Sequence, residues 1–359
     1  MKRLAFLLLF LTASPLLAAE NGAWQQEWER VLAAAKREGK VAITGPGGRE
    51  PRRGLVDPFQ EKYGITVEYF GATGRQVGPR VMTERRAGYF LWDVYVGGTT
   101  TALSVMIPQG AFAPLEPALI TPEVKDPANW RGDSLEFLDK ARRLVIMTPQ
   151  QVGVMSANTD LVKIDEIKSY KDILEPKWKG KIVMDDPRRS GPGQGSATFF
   201  YMHPELGIDF LRALARQEPL LSRDFVQQVD LVAHGRYSIL IGVDVLVQVR
   251  AKQGAPIAIV DPLRLGEGSH LSPKDGAAAM YTNPPHPNAA KVYMNWLLSR
   301  EGQTAFAQSM GYVSARKDVS TSHVPAWRVP QPGSIRTYTE EGIEIRDRLL
   351  PLLREIFGR

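Results

Sequence analysis

Between residues 41 and 100 the sequence presents a short apolar strand followed by a glycine turn three times, with helical segments between them. Val41-Ala42-Ile43-Thr44 leads into Gly45-Pro46-Gly47-Gly48. Ile65 to Phe70 leads into Gly71-Ala72-Thr73-Gly74, and Asp93-Val94-Tyr95-Val96 into Gly97-Gly98-Thr99-Thr100. Helices are predicted over Arg52 to Lys62 and Gln76 to Arg86. Strands kept apart by helices cannot close as hairpins, so this alternation predicts an α/β unit built on a mostly parallel sheet. An amphipathic helix precedes it: Trp24, Trp28, Val31, Leu32 and Ala35 share one face, and Gly39 ends it.

Prolines 108, 114, 117, 122 and 127 then forbid a regular helix. Arg143 to Ala157 reads as an extended first crossing, interrupted by Pro149. A second α/β unit follows, with a helix near Asp165 to Ile173, the strand Lys181 to Met184, a loop from Asp185 to Gly195, and a helix opening at Ser196. The helix Ser222 to Ala233 precedes an apolar strand, Tyr237 to Gly242, read as the return crossing. Strands are expected at Pro256 to Val260 and Gly276 to Tyr281, and helices at Asn288 to Leu298 and Thr339 to Phe357. The expected architecture is therefore two α/β lobes: residues 20–146 plus 243–300 in lobe I, and 147–242 plus 301–359 in lobe II. The hinge is expected near 146–150 and 238–243.

Lys2 and Arg3, the apolar stretch Leu4 to Leu17 and the small pair Ala18-Ala19 form a secretory signal, so residues 1–19 are expected to be removed on export to the periplasm. The chain has no cysteine, which excludes disulfides, thiolate metal ligands and a cysteine nucleophile, and leaves no residue for a lipid anchor. Charged residues at 23% and hydrophobic ones at 43% describe an ordinary globular chain. The most apolar later stretch, Ile239 to Val249, is too short to span a bilayer and carries Asp244. A net charge of +6 suits an acidic small ligand. Lys/Arg runs interleaved with aromatics are missing, so no nucleic-acid partner and no stable membrane insertion are expected; a monomer is.

In open α/β sheets, ligands bind beyond the carboxyl ends of the strands. Four donor-rich loops take such positions. They nominate Gly47, Gly48 and Arg49; Thr73, Gly74 and Arg75; Gly98, Thr99 and Thr100; and, in the second unit, Arg188, Arg189, Ser190, Gly191, Gly193 and Ser196. Glycines let backbone approach a ligand, and guanidinium forks match carboxylate or phosphate. Gln150 and Gln151 at the first crossing and Asp244 after the return strand complete the nominated set. Each feature has a plainer reading: a glycine after a strand is usually a turn, Arg188-Arg189 equally a solvated pair, and Asp244 equally a buried ion-pair partner. The loop matches neither a phosphate-binding Gly-Lys-Ser/Thr motif nor a dinucleotide fingerprint.

Several segments resemble bacterial extracellular solute-binding proteins of the ferric-iron-binding type. They are Ala34-Ala35-Lys36-Arg37-Glu38-Gly39-Lys40-Val41, Lys179-Gly180-Lys181-Ile182-Val183-Met184-Asp185-Asp186-Pro187, Pro285-His286-Pro287-Asn288-Ala289-Ala290 running into Trp296-Leu297-Leu298-Ser299-Arg300-Glu301-Gly302-Gln303, and Gly311-Tyr312-Val313-Ser314-Ala315-Arg316-Lys317-Asp318-Val319. The resemblance implies a type II periplasmic-binding fold and an ATP-binding-cassette (ABC) importer as partner. Iron-binding members hold the metal with two adjacent tyrosines after the return strand. This chain reads Gly242-Val243-Asp244-Val245-Leu246-Val247 there and has no adjacent tyrosine pair. An organic or phosphorylated anion is therefore expected in place of iron, with Ser190 and Gly191 matching the family's anion-holding positions, and no metal or other cofactor.

Three other functions compete: an iron receptor using non-tyrosine ligands, a ligand sensor for a membrane kinase, and a periplasmic enzyme. His203, His234, His270, His286 and His323 lack metal-ligand spacing, and no catalytic constellation stands out.

Overall fold

A computed structural model describes residues 15–358. The expected export signal falls largely on residues 1–14, outside the described residues; the backbone of 15–19 begins the first helix, Pro15–Glu38.

The three strands of the opening repeat, Lys40–Gly45, Thr66–Gly71 and Val94–Gly97, pair in parallel. Ala277–Met280 adds antiparallel to Val94–Gly97, and Val145–Ile146 pairs antiparallel with Ala277–Met280 in turn, giving five strands. Strands delivered by successive helical crossovers run one way; strands arriving from distant parts of the chain need not. The second sheet repeats this division. Ile239–Ile241, Ile182–Asp185 and Leu220–Ser222 are parallel, Met155–Asn158 joins Ile239–Ile241 antiparallel, and Ile257–Ile259 pairs antiparallel with Met155–Asn158. Lys40–Gly45 is buried from Val41 onward and Ile182–Asp185 throughout, as expected of sheets covered on both faces by helices. Between the lobes, the short strands Gln150–Gln151, His270–Ser272 and Ile335–Arg336 form a third, small sheet.

Two predicted helices differ. Asp57-Pro58 breaks the expected 52–62 helix into Arg49–Leu55 and Asp57–Tyr63, since a proline suits a helix start and not its interior. The expected 165–173 helix is two 3-10 turns, Ile164–Glu166 and Tyr170–Leu174. Ser169 and Asp172 cap the second, and the Ser169 hydroxyl donates to Glu267 Oε1 at 2.5 Å.

The division of the chain also departs from expectation. Val245–Lys252 and Ile257–Ile259 fall within the range expected for lobe I, yet Ile257–Ile259 pairs along Met155–Asn158 in the second sheet. The return crossing therefore follows residue 260, through His270–Ser272 to Ala277–Met280, and does not lie at 238–243. Residues 301–315, assigned to lobe II, lie with the first core: Phe306 and Ala315 are buried among Val31, Phe59 and Trp296. Gly54 permits that docking, because a Cβ there would stand 2.1 Å from Ser309 Oγ. The last helix, Glu340–Ile356, does join the second core, through Leu349 and Leu353.

Candidate ligand-binding cleft

A crevice of about 1050 Å³ lies between the lobes, walled by loops from both and by the small third sheet. On the first lobe, the Gly74–Arg86 helix begins against the Thr99–Thr101 turn. Cβ atoms at Gly74 and Gly78 would come within 2.7 Å of the Thr101 hydroxyl and 2.6 Å of its methyl, so only glycine allows this approach. Gln76 Oε1 accepts from the Thr73 backbone N–H and hydroxyl, at 3.1 and 2.9 Å, and fixes the helix start.

On the second lobe, Asp185 ends a buried strand and folds the following loop back on itself. Its Oδ2 accepts from the Gly193 N–H at 2.7 Å, and a Cβ at Gly193 would sit 1.9 Å from the Asp185 carbonyl oxygen. Burial pushes the Asp185 carboxyl up, against the Gly193 and Gln228 donors that pull it down. Asp186 behaves oppositely. Burial alone would raise it, but Arg188 (2.8 and 3.1 Å) and Arg223 (3.0 and 3.2 Å) hold it down at about 2.

Five cations stand on the crevice wall: Arg75, Arg189, Arg223, Lys274 and Arg346. Arg223 is engaged with Asp186, and Lys274 Nζ lies 3.1 Å from Asp244. Arg346 differs from these. It is 6% exposed, and its nearest carboxylate oxygen, on Asp347, is 3.9 Å away. Its Nη atoms make only long contacts, to Thr100 Oγ1 at 3.5 Å and Ser104 Oγ at 3.4 Å, and its Nε has no partner among the described residues. Both ring nitrogens of His270 and the Thr337 hydroxyl, on the same wall, are likewise buried and unpartnered. Buried polar groups in folded proteins are nearly always hydrogen-bonded. Four unpartnered atoms facing one crevice therefore single it out.

Of the residues nominated from sequence, Thr73, Gly74, Arg75, Gly98, Thr99, Thr100, Arg189, Ser190 and Gly191 line this crevice together. Nine others do not line it. Gly47, Gly48 and Arg49 follow a turn that Tyr69 holds, its ring packed on Gly45 and its hydroxyl donating to the Pro46 carbonyl at 2.6 Å. Gln150 accepts from Arg328 at 3.1 Å and Gln151 donates to the Val329 carbonyl at 3.3 Å, so both serve the third sheet's surroundings. Arg188 is spent on Asp186 and on the Phe357 carbonyl, 3.0 Å away. Gly193 is consumed by the Asp185 contact, and the Ser196 hydroxyl donates to Pro192 O at 3.0 Å. Asp244, 3% exposed, is the buried partner of Lys274 and Arg328. Lys274, Arg328 and the Gly153 N–H keep its carboxyl low in spite of the burial that opposes them.

Sequence reasoning missed His270, Tyr312, Thr337, Tyr338 and Arg346. Arg346 did leave a trace. Gly342, Arg346, Leu349 and Leu353 share the buried stripe of one helix, where an arginine is out of place unless it has work there. His270, Thr337 and Tyr338 sit in or beside strands too short to carry a periodic pattern, and Tyr312 follows the Gly311 cap of the Arg300–Met310 helix.

The family model for bacterial extracellular solute-binding proteins matches residues 54–330. The chain belongs to this family. As a solute-binding protein it serves transport by ABC systems, and its family and fold are those of binding proteins, not enzymes. A Haemophilus influenzae protein without an assigned function is 24% identical over 251 residues, 68% of each chain. Among solved structures, the periplasmic binding protein AfuA from Actinobacillus pleuropneumoniae, with fructose-6-phosphate bound, superposes with a TM-score of 0.62. Identity is 16%, covering 89% of this chain and 99% of that one. Iron-bound HitA from Pseudomonas aeruginosa gives 0.62 at 17% identity, covering 88% and 99%. At such identities these likenesses establish that the solute-binding protein has their fold. Among its described residues, no helix is long and apolar enough to cross a membrane.

Proposed function

We propose that this protein captures a small organic anion, bearing a carboxylate or phosphate, in the interlobe crevice and delivers it from the periplasm to an ABC importer. The observation that carries this reading is Arg346, a buried guanidinium with no carboxylate at hydrogen-bonding distance. A buried unpaired charge is costly, and an anionic guest would offset that cost through charge-assisted hydrogen bonds. Arg189 stands on the same wall with no carboxylate partner among the described residues, and Gly98 to Thr101, Ser190, Gly191 and Gly195 add small residues that leave room for backbone contact. AfuA, of the same fold, holds a sugar phosphate, which agrees with such a guest.

Ferric iron is the second reading, since HitA carries it. The donors here favour it less. Among the described residues no three His, Asp or Glu side chains gather to hold a metal. A thermal-shift screen of organic acids, sugar phosphates and ferric chelates separates the two. A ligand at a hundred times its Kd adds about 2.7 kcal/mol of stability. Stabilisation by organic anions supports the proposal; stabilisation by ferric chelates alone overturns it.

A further inference from the structure

The crevice wall carries a second set of groups that a bare anion would not use. His270 is 1% exposed, held edge-on by the Phe199 ring (centroids 5.4 Å apart) and the Tyr338 ring (6.3 Å). It opens the His270–Ser272 strand, which pairs in parallel with Ile335–Arg336 in the register His270 to Ile335 and Leu271 to Arg336. Thr337, 2% exposed, follows that partner strand directly, so the two residues come from neighbouring strands of one small sheet. Neither His270 nitrogen nor the Thr337 hydroxyl has a hydrogen-bond partner among the described residues, and both side chains line the crevice. Gly195 keeps this corner open, since a Cβ there would stand 2.6 Å from the Tyr338 hydroxyl and 3.8 Å from the His270 ring.

We propose that His270 and Thr337 form a hydroxyl-reading subsite, so that the guest is a hydroxylated organic anion whose charged end meets Arg346 and whose hydroxyl groups meet the imidazole and the threonine. The proposal rests on the anion reading above and narrows it. Burial, aided by the nearby Lys274 ammonium and opposed by Asp244, pushes the His270 imidazole down to about 3. The ring is therefore neutral near neutral pH, with one nitrogen a donor and the other an acceptor. A threonine hydroxyl has the same dual character. Alcohol groups both donate and accept, and so complement both residues, whereas a carboxylate or fully ionised phosphate only accepts. Leaving these buried groups unmatched is costly, so an analogue lacking the hydroxyls should bind worse.

Two ligand pairs test this in the full mature protein by calorimetry: fructose 6-phosphate against hexyl phosphate, and citrate against tricarballylate. The first pair represents sugar phosphates and the second hydroxy-acids. In the wild type, the hydroxylated member of at least one pair should bind about tenfold tighter or more. His270→Phe, which keeps a ring but removes both nitrogens, should bring that ratio toward one while leaving the hydroxyl-free partner's affinity within about twofold. Thr337→Val, near-isosteric, should lower the ratio partially, and it keeps the test valid if His270→Phe does not fold. Equal binding of both members in the wild type, or an undiminished ratio in the variants, overturns the hydroxyl subsite but leaves the anion reading standing. If none of the four compounds binds, the anion reading falls and this proposal falls with it.

Discussion

Arg75 Nη2 lies 3.4 Å from the carbonyl oxygen of Ser190, so a side chain at the start of a first-lobe helix touches the backbone of a second-lobe loop across the crevice. The residues are 115 positions apart in sequence. The contact is exposed, and exposed charged contacts contribute about 0–1 kcal/mol. Arg75→Ala should therefore weaken anion binding by no more than about fivefold, measured by calorimetry. A loss of a hundredfold would mean that Arg75 is itself a principal ligand contact.

Arg188 and Arg189 are adjacent, yet they should behave differently. Arg188 ties Asp186 to the Phe357 carbonyl, joining the cleft loop to the chain's C-terminal end. Its replacement by alanine should cost about 1–3 kcal/mol in denaturant unfolding while changing anion affinity little. Arg189→Ala should show the reverse, weakening the anion with little effect on stability.

Asp244 neutralises a partly buried cation, Lys274 Nζ at 3.1 Å, and a buried one, Arg328 Nη2 at 3.6 Å. Removing the carboxylate strands both charges, so Asp244→Ala should destabilise the protein by about 3–5 kcal/mol in urea unfolding. A variant of wild-type stability would show that the cations find water or another partner.

Stability should also report the buried imidazole. In the unfolded chain a histidine titrates near 6.5, while in the fold His270 is pushed down to about 3, chiefly by burial. Between these values the unfolded chain binds the additional proton. This residue's contribution is therefore level above about pH 6.5 and turns destabilising as pH falls toward 3, by at most about 1.4 kcal/mol per pH unit. The stability of the wild type relative to His270→Phe should accordingly decline between pH 6.5 and 4.5. Parallel profiles would contradict a buried neutral ring.

Much of this molecule was legible in its sequence, for identifiable reasons. Strands such as Val41 to Thr44 and Ile182 to Met184 are short, largely apolar runs with a glycine turn or an aspartate directly after them, as strands of a doubly covered sheet should be. The loops at Thr73–Arg75, Gly98–Thr100 and Arg189–Gly191 followed from the strand-end rule, and they do share one crevice. What stayed hidden depends on long-range pairing. Nothing local in Ile257 to Ile259 states that it will lie beside Met155–Asn158, so the return crossing was placed too early. Arg188 looked as available as Arg189, because only the fold brings Phe357 to it. His270 and Thr337 belong to a sheet of two- and three-residue strands, which leaves no periodic signal.

The proposed function stands or falls with Arg346, the guanidinium buried between the lobes, as the group that binds the guest's negative charge. Calorimetric titration of wild type and Arg346→Met with fructose 6-phosphate, citrate and inorganic phosphate addresses it directly. At least one of these should bind the wild type, and the folded variant should lose about 1.5–3 kcal/mol, roughly ten- to a hundredfold in Kd, toward that ligand. Unchanged affinity in a folded Arg346→Met protein would contradict the account.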